Sequence, residues 1–82
     1  MKQSMKILVQ IVVDPPKLEE VCKKLAEMPE TKTVYEITGE FDIFVELDVN
    51  SIDEFREVLK NKILKIEGVK LTESSVVLGE WK

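Results

Sequence analysis

The sequence predicts an α+β domain of order βαββαβ, a four-stranded antiparallel sheet with two helices on one face. Three observations predict it. Apolar residues alternate in extended stretches, they recur at helical spacing in two others, and the first half of the pattern repeats in the second. Residues 7–14, Ile-Leu-Val-Gln-Ile-Val-Val-Asp, align with residues 43–50, Ile-Phe-Val-Glu-Leu-Asp-Val-Asn, and each stretch leads into a turn, an amphipathic segment and another extended stretch. A twice-repeated βαβ unit with right-handed crossovers places both helices on the same side of one sheet, the ferredoxin-like arrangement.

The first strand spans residues 7–13, β-branched and apolar on both alternating faces, as suits a central strand. Asp14-Pro15-Pro16 breaks it, and proline is tolerated where a helix opens because the first N–H groups lack partners. Leu18, Val21, Cys22, Leu25 and Met28 form one helical face before Pro29. Two further strands, 33–38 and 41–49, are joined through Gly39-Glu40 as a hairpin in which Gly39 takes positive φ. Ser51 and Glu54 have the spacing of a capping box, opening a helix striped with Ile52, Phe55, Leu59, Ile63 and Ile66 that Gly68 closes. The last strand covers 69–78, and 79–82 form a tail.

With Ile7, Val9, Ile11, Ile43, Val45 and Leu47 toward the helices, the other sheet face keeps Leu8, Val12, Val34, Phe44 and either Val76 or Leu78. Such a patch exceeds what soluble monomers ordinarily expose. At 82 residues the chain is a single domain, 1–82, whose own core is marginal. One cysteine allows no internal disulfide, and the lack of histidine disfavours a zinc staple. A second copy laid over the open sheet face is the expected source of further burial.

Composition excludes several functions. A net charge of −4 argues against sequence-independent nucleic-acid binding, and Lys60, Lys62, Lys65 and Lys70 read as a solvated face. No apolar run approaches a membrane span and no signal peptide is evident, so the cytoplasm is the expected compartment. No nucleophile–base pair, glycine-rich phosphate loop or cofactor motif is present, so neither catalysis nor a cofactor is expected. Cys22 reads as a small buried hydrophobe on the helix stripe. Asp42, Glu46 and Asp48 line one strand face, and a solubility role suits them better than a metal site. Ferredoxin-like RNA binders, metal chaperones and acylphosphatases are each disfavoured. The central strands offer Phe44 as the lone stacking candidate, the first loop has no Cys-x-x-Cys, and the one arginine, Arg56, is in the second helix.

The stretch Val34-Tyr35-Glu36-Ile37-Thr38-Gly39-Glu40-Phe41-Asp42-Ile43-Phe44-Val45 resembles the signature of the effector-binding domain of Lrp/AsnC transcriptional regulators, most diagnostically at Thr38–Asp42. The similarity continues through Ile66-Glu67-Gly68-Val69 and Thr72-Glu73-Ser74-Ser75-Val76-Val77-Leu78. It implies an amino-acid sensor whose sheets pair into dimers and whose dimers form rings of four or five, an octamer or decamer, with the amino acid held between dimers. On the matching positions, backbone groups around Thr38 and Gly39, in the run Thr38, Gly39, Glu40 and Phe41, would face the ligand. Asp42 would pair with its ammonium group, and Ser74, with Thr72 close by, would come from a neighbouring subunit.

The physical chemistry agrees. Glycine lets a ligand carboxylate approach backbone N–H groups, and a carboxylate at a strand end can bind an ammonium. In the same stretch, Gly39 read alone is a hairpin glycine and Asp42 a surface acid. Regulators of this family carry a winged helix-turn-helix ahead of the domain, whereas at most six residues precede the first strand here. Direct DNA binding is therefore not implied, and an effect on transcription would pass through full-length relatives. Met1 and the immediate start of the first strand favour a stand-alone domain over an excised fragment. Two alternatives stand beside this reading: an oligomerisation module without a ligand, and a dimeric α+β barrel enzyme, against which the absence of histidine weighs.

Overall fold

A computed structural model describes residues 4–82; Met1, Lys2 and Gln3, which belong to the 1–82 domain assignment and to the start read as stand-alone, lie outside it. The order is β1 (Met5–Val13), α1 (Leu18–Glu27), β2 (Thr31–Glu36), β3 (Ile43–Val49), α2 (Ile52–Asn61) and β4 (Val69–Val76), with 3-10 turns at Pro15–Lys17 and Ile63–Lys65. The four strands form one sheet in the order β2-β3-β1-β4, antiparallel throughout, as the βαββαβ reading requires. The two repeat-related strands, β1 and β3, are the central neighbours.

Strand alternation decides the core. Ile7, Val9, Ile11 and Val13 of β1 face the same side as Ile43, Val45, Leu47 and Val49 of β3, and all eight are buried. Val21 and Leu25 of α1, Phe55 and Val58 of α2 and Ile63 close over them. Met28, preceding Pro29, is already extended at φ −72°, ψ 132°, which is the restriction proline imposes on its predecessor and the reason α1 stops. Cys22 is half-buried at the margin of the core rather than enclosed.

The second helix departs from the expected stripe and length. Phe55 and Val58 are its buried pair, whereas Ile52 is 44% exposed and Leu59 only partly covered. The helix ends at Asn61, well before Gly68. Lys62 caps it at φ −118°, ψ −65°, its N–H still donating to Val58 O at 3.0 Å, and its ammonium binds both carboxylate oxygens of Glu30 at 2.8 and 3.0 Å. The following 3-10 turn then buries Ile63 completely. The opening of α2 is as expected: Glu54 N–H donates to Ser51 Oγ at 3.1 Å, while Glu54 reaches back to Asn50 N–H at 2.9 Å instead of to the cap residue. Gly68 occupies the turn into β4 at φ +104°, its carbonyl accepting Asp14 N–H at 2.8 Å.

Of the outer strands, β2 keeps the expected length but lies two residues earlier, at Thr31–Glu36, β4 stops at Val76, and two open-face assignments change. Val34 is in register with Val45 and Val76 with Ile7, so both point toward the helices, and Val34 packs against the core. The hairpin centred on Gly39-Glu40 already pairs Val34 with Val45. Placing Val34 on the open face therefore conflicts with the sequence's own register. Leu78 lies beyond β4, 97% exposed. The open face carries Leu8 and Val12 of β1 and Phe44 of β3, joined by Tyr35, in register with Phe44, and Leu71, in register with Val12.

Candidate functional site

The turn between β2 and β3 is longer than the two-residue link expected from sequence. β2 ends at Glu36 and β3 begins at Ile43, leaving residues 37–42 as the loop. Its base is closed by Ile37 N–H donating to Asp42 O at 2.9 Å, so Thr38, Gly39, Glu40 and Phe41 form a four-residue tip. Gly39 adopts φ +112°, the positive value expected of it, and no atom lies within 4 Å of where a Cβ would stand. Glycine is needed here for backbone conformation, not for space. Thr38, Gly39 and Glu40 are exposed, and Phe41 and Asp42 half-buried.

Asp42 ties this tip to the centre of the sheet. Its N–H donates to Ile11 O at 2.9 Å, and its Oδ2 accepts Val13 N–H at 2.9 Å. The carboxylate thus takes a β1 donor just past the last β3 residue in the ladder, beside the register shift at Val12 and Val13 where β4 carries the extra residue. A part-buried backbone donor left unpaired would be costly, so this bond gives Asp42 a structural duty at the loop.

Thr72 and Ser74 are not brought to the loop within the protomer. They stand in register with Ile11 and Val9 on β4, their side chains on the helix side of the sheet, Thr72 half-buried and Ser74 exposed. Ile11 separates Thr72 from Ile43, two inter-strand spacings or about 9.6 Å. The seven expected residues therefore form two groups, the 38–42 loop and the β4 pair.

The open sheet face is the second feature of the site. Tyr35 and Phe44 stack at a centroid distance of 6.4 Å with an interplanar angle of 42°, a contact worth about 0.5–1.5 kcal/mol beyond its buried area. Glu46 of the acidic row meets Lys6 at 3.3 Å and Lys32 at 4.0 Å, so it serves as a counter-ion to lysines. Tyr35 and Leu71, 55% and 58% exposed, join this face beyond the residues expected there from sequence. Their register with Phe44 and Val12 was the available signal. No helix among the described residues is long and apolar enough to cross a membrane.

Comparison with known proteins agrees with this architecture. The family model described as the Lrp/AsnC ligand binding domain matches residues 6–82. An uncharacterized HTH-type transcriptional regulator of Pyrococcus furiosus is 41% identical over 75 residues, covering 92% of this chain and 51% of that protein. The chain thus spans about half the length of such curated relatives. The structure of Escherichia coli AsnC superposes with a TM-score of 0.88 at 28% identity, over 93% of this chain and 52% of that one. A Neisseria meningitidis transcriptional regulator crystallised as an L-Met complex gives a TM-score of 0.89 at 21% identity, over 95% of this chain and 52% of that one.

Proposed function

We propose, from the premise that this chain belongs to the Lrp/AsnC ligand binding domain family, that it senses an amino acid as a homo-oligomer and acts on transcription by associating with full-length relatives. Its relatives are transcriptional regulators, and no catalytic role, cofactor or metal enters this reading. The cytoplasm, where such regulators meet both DNA and free amino acids, is the compartment proposed.

The observation that carries the reading is the exposed Thr38–Glu40 tip, held by Gly39 at positive φ above a carboxylate. In this reading the tip's backbone N–H groups take the ligand carboxylate and Asp42 takes the ammonium. A neighbouring protomer supplies Ser74 and Thr72. The dimer forms through the open face bearing Leu8, Val12, Tyr35, Phe44 and Leu71, and dimers assemble further into an octamer or decamer. The L-Met complex of the Neisseria regulator makes methionine a first candidate among the amino acids.

One observation favours a second reading, an assembly module without a ligand: Asp42 already has a structural partner in Val13 N–H. Calorimetric titration of the protein with the twenty amino acids, alongside Asp42→Asn, separates the two. Asparagine keeps an oxygen for Val13 N–H and removes the charge. Saturable binding of one or a few amino acids, weakened at least tenfold in the variant, supports the sensor. No heat from any amino acid leaves the assembly module.

A further inference from the structure

Two features of the protomer have no counterpart within it. The first is the segment 77–82 that follows β4. It is tied down at its start, with Val77 N–H donating to Lys6 O at 2.9 Å and Lys6 Nζ donating to Glu80 at 3.0 Å. Held in this way, it leaves Leu78 97% and Trp81 fully exposed, the two most exposed large apolar residues among those described. The second is a groove of ≈ 480 Å³ where α1 meets the edge strand β2, lined by Cys22, Lys23, Ala26, Val34, Tyr35 and Glu36. The groove is at the β2 edge of the sheet and the segment leaves from the β4 edge, three inter-strand spacings or about 14 Å away.

We propose that segment 77–82 of one copy docks in the α1/β2 groove of a second copy, with Leu78 and Trp81 as its occupants and Lys82 meeting Glu36 at the rim. The groove is a shallow, open depression, suited to a side chain laid on the surface rather than to an enclosed ligand. Its side-chain walls are apolar at Ala26 and Val34. The charge is complementary. Burial first, then the carboxylates of Glu36 and Glu19, push the Cys22 thiol up from its ordinary value, which marks Glu36 as the acid at the rim of the groove. Glu36 has no ion-pair partner among the described residues, and the incoming segment brings Lys82.

Tyr35 also links the groove to the open face through its stack with Phe44, so one partner can cover both. A two-fold relation lets each copy give its segment and receive the other's. Each tryptophan then buries about 150–250 Å², the kind of apolar gain a chain of this length lacks on its own. None of this depends on amino-acid binding: a ligand-free assembly would use the same contact.

Trp81 is the sole tryptophan of the sequence, so its fluorescence reports the contact directly. At a concentration where sedimentation shows an oligomer, the expected result is blue-shifted emission resistant to acrylamide. Both properties should be lost in Ala26→Glu, a substitution at an exposed helix position whose fold is checked by circular dichroism. Alkylation of Cys22 by iodoacetamide gives a second readout, slow in the oligomer and restored to the free rate by Trp81→Ala. A solvent-exposed indole in a confirmed oligomer, a monomer at every concentration, or shielding unchanged in Ala26→Glu would each overturn the proposal.

Discussion

At the scale of single residues, two glycines with similar backbone angles have different surroundings. Gly39 at φ +112° has open space where a Cβ would go, whereas a Cβ on Gly68 at φ +104° would stand 2.5 Å from Lys17 Cβ and 3.3 Å from Val21 Cγ2. Gly39→Ala therefore costs backbone strain alone, about 1–3 kcal/mol. Gly68→Ala adds an overpacking cost of about 1–3 kcal/mol at the junction of β4 with α1. Urea unfolding of the two variants should give a lower midpoint for Gly68→Ala; equal midpoints would mean that Lys17 moves aside without cost. From the sequence, Gly39 was legible as a turn residue because strand-like segments flank it. Gly68 was legible only as a stop, because its closeness to Lys17 depends on the packing of a 3-10 turn against β4. Asp42 was legible as a surface acid at a strand end, but its bond to Val13 N–H was not, since no local pattern reveals a backbone donor 29 residues away.

At the scale of elements, the Glu30–Lys62 bridge joins the start of β2 to the end of α2. Burial pushes the Glu30 carboxyl up, but its bonds to Lys62 and to the backbone, with the Lys62 charge, outweigh that and hold it below the usual glutamate range. A carboxyl lowered in the folded state contributes stability that is complete above its unfolded pKa and is lost as pH falls through the folded value. Lys62 is 42% exposed, so solvent screening limits the pair to about 1 kcal/mol or less. In a urea series from neutral to acid pH, Lys62→Met should lower the midpoint near neutrality and converge on the wild type below the Glu30 titration. A constant offset across the series would assign the loss to packing of the lysine stem. Periodicity carries through to Ile66, yet the chain gives up helix at Lys62 to place Ile63 in the core, a tertiary effect that overrides local spacing. Where alternation and register were enough, as for β1 against β3 and the whole inner face, the sequence was a sufficient guide. It failed at the ends of β2, β3 and β4, where pairing stops for reasons held in neighbouring strands.

At the scale of the whole molecule, a sheet covered by helices on one side leaves Leu8, Val12, Tyr35, Phe44 and Leu71 on the other, the face through which the proposed dimer forms. Phe44 is the centre of this patch, half-buried beside Tyr35 and in register with Gln10 of the central strand. Phe44→Glu should leave the helix-side core untouched, because every inner-face residue is on the opposite side of the sheet. It should give a folded monomer of 9.4 kDa in sedimentation where the wild type is an oligomer. In the proposed function amino-acid binding belongs to the assembly, with the 38–42 loop from one protomer and the Thr72 and Ser74 pair from another. The most direct test is calorimetric titration of wild type and Phe44→Glu with the same amino acid, L-methionine first and the other nineteen after it. The account predicts saturable binding to the wild-type oligomer and none to the folded Phe44→Glu monomer. Equal affinity in the two proteins, or no binding of any amino acid to a confirmed wild-type oligomer, would contradict it.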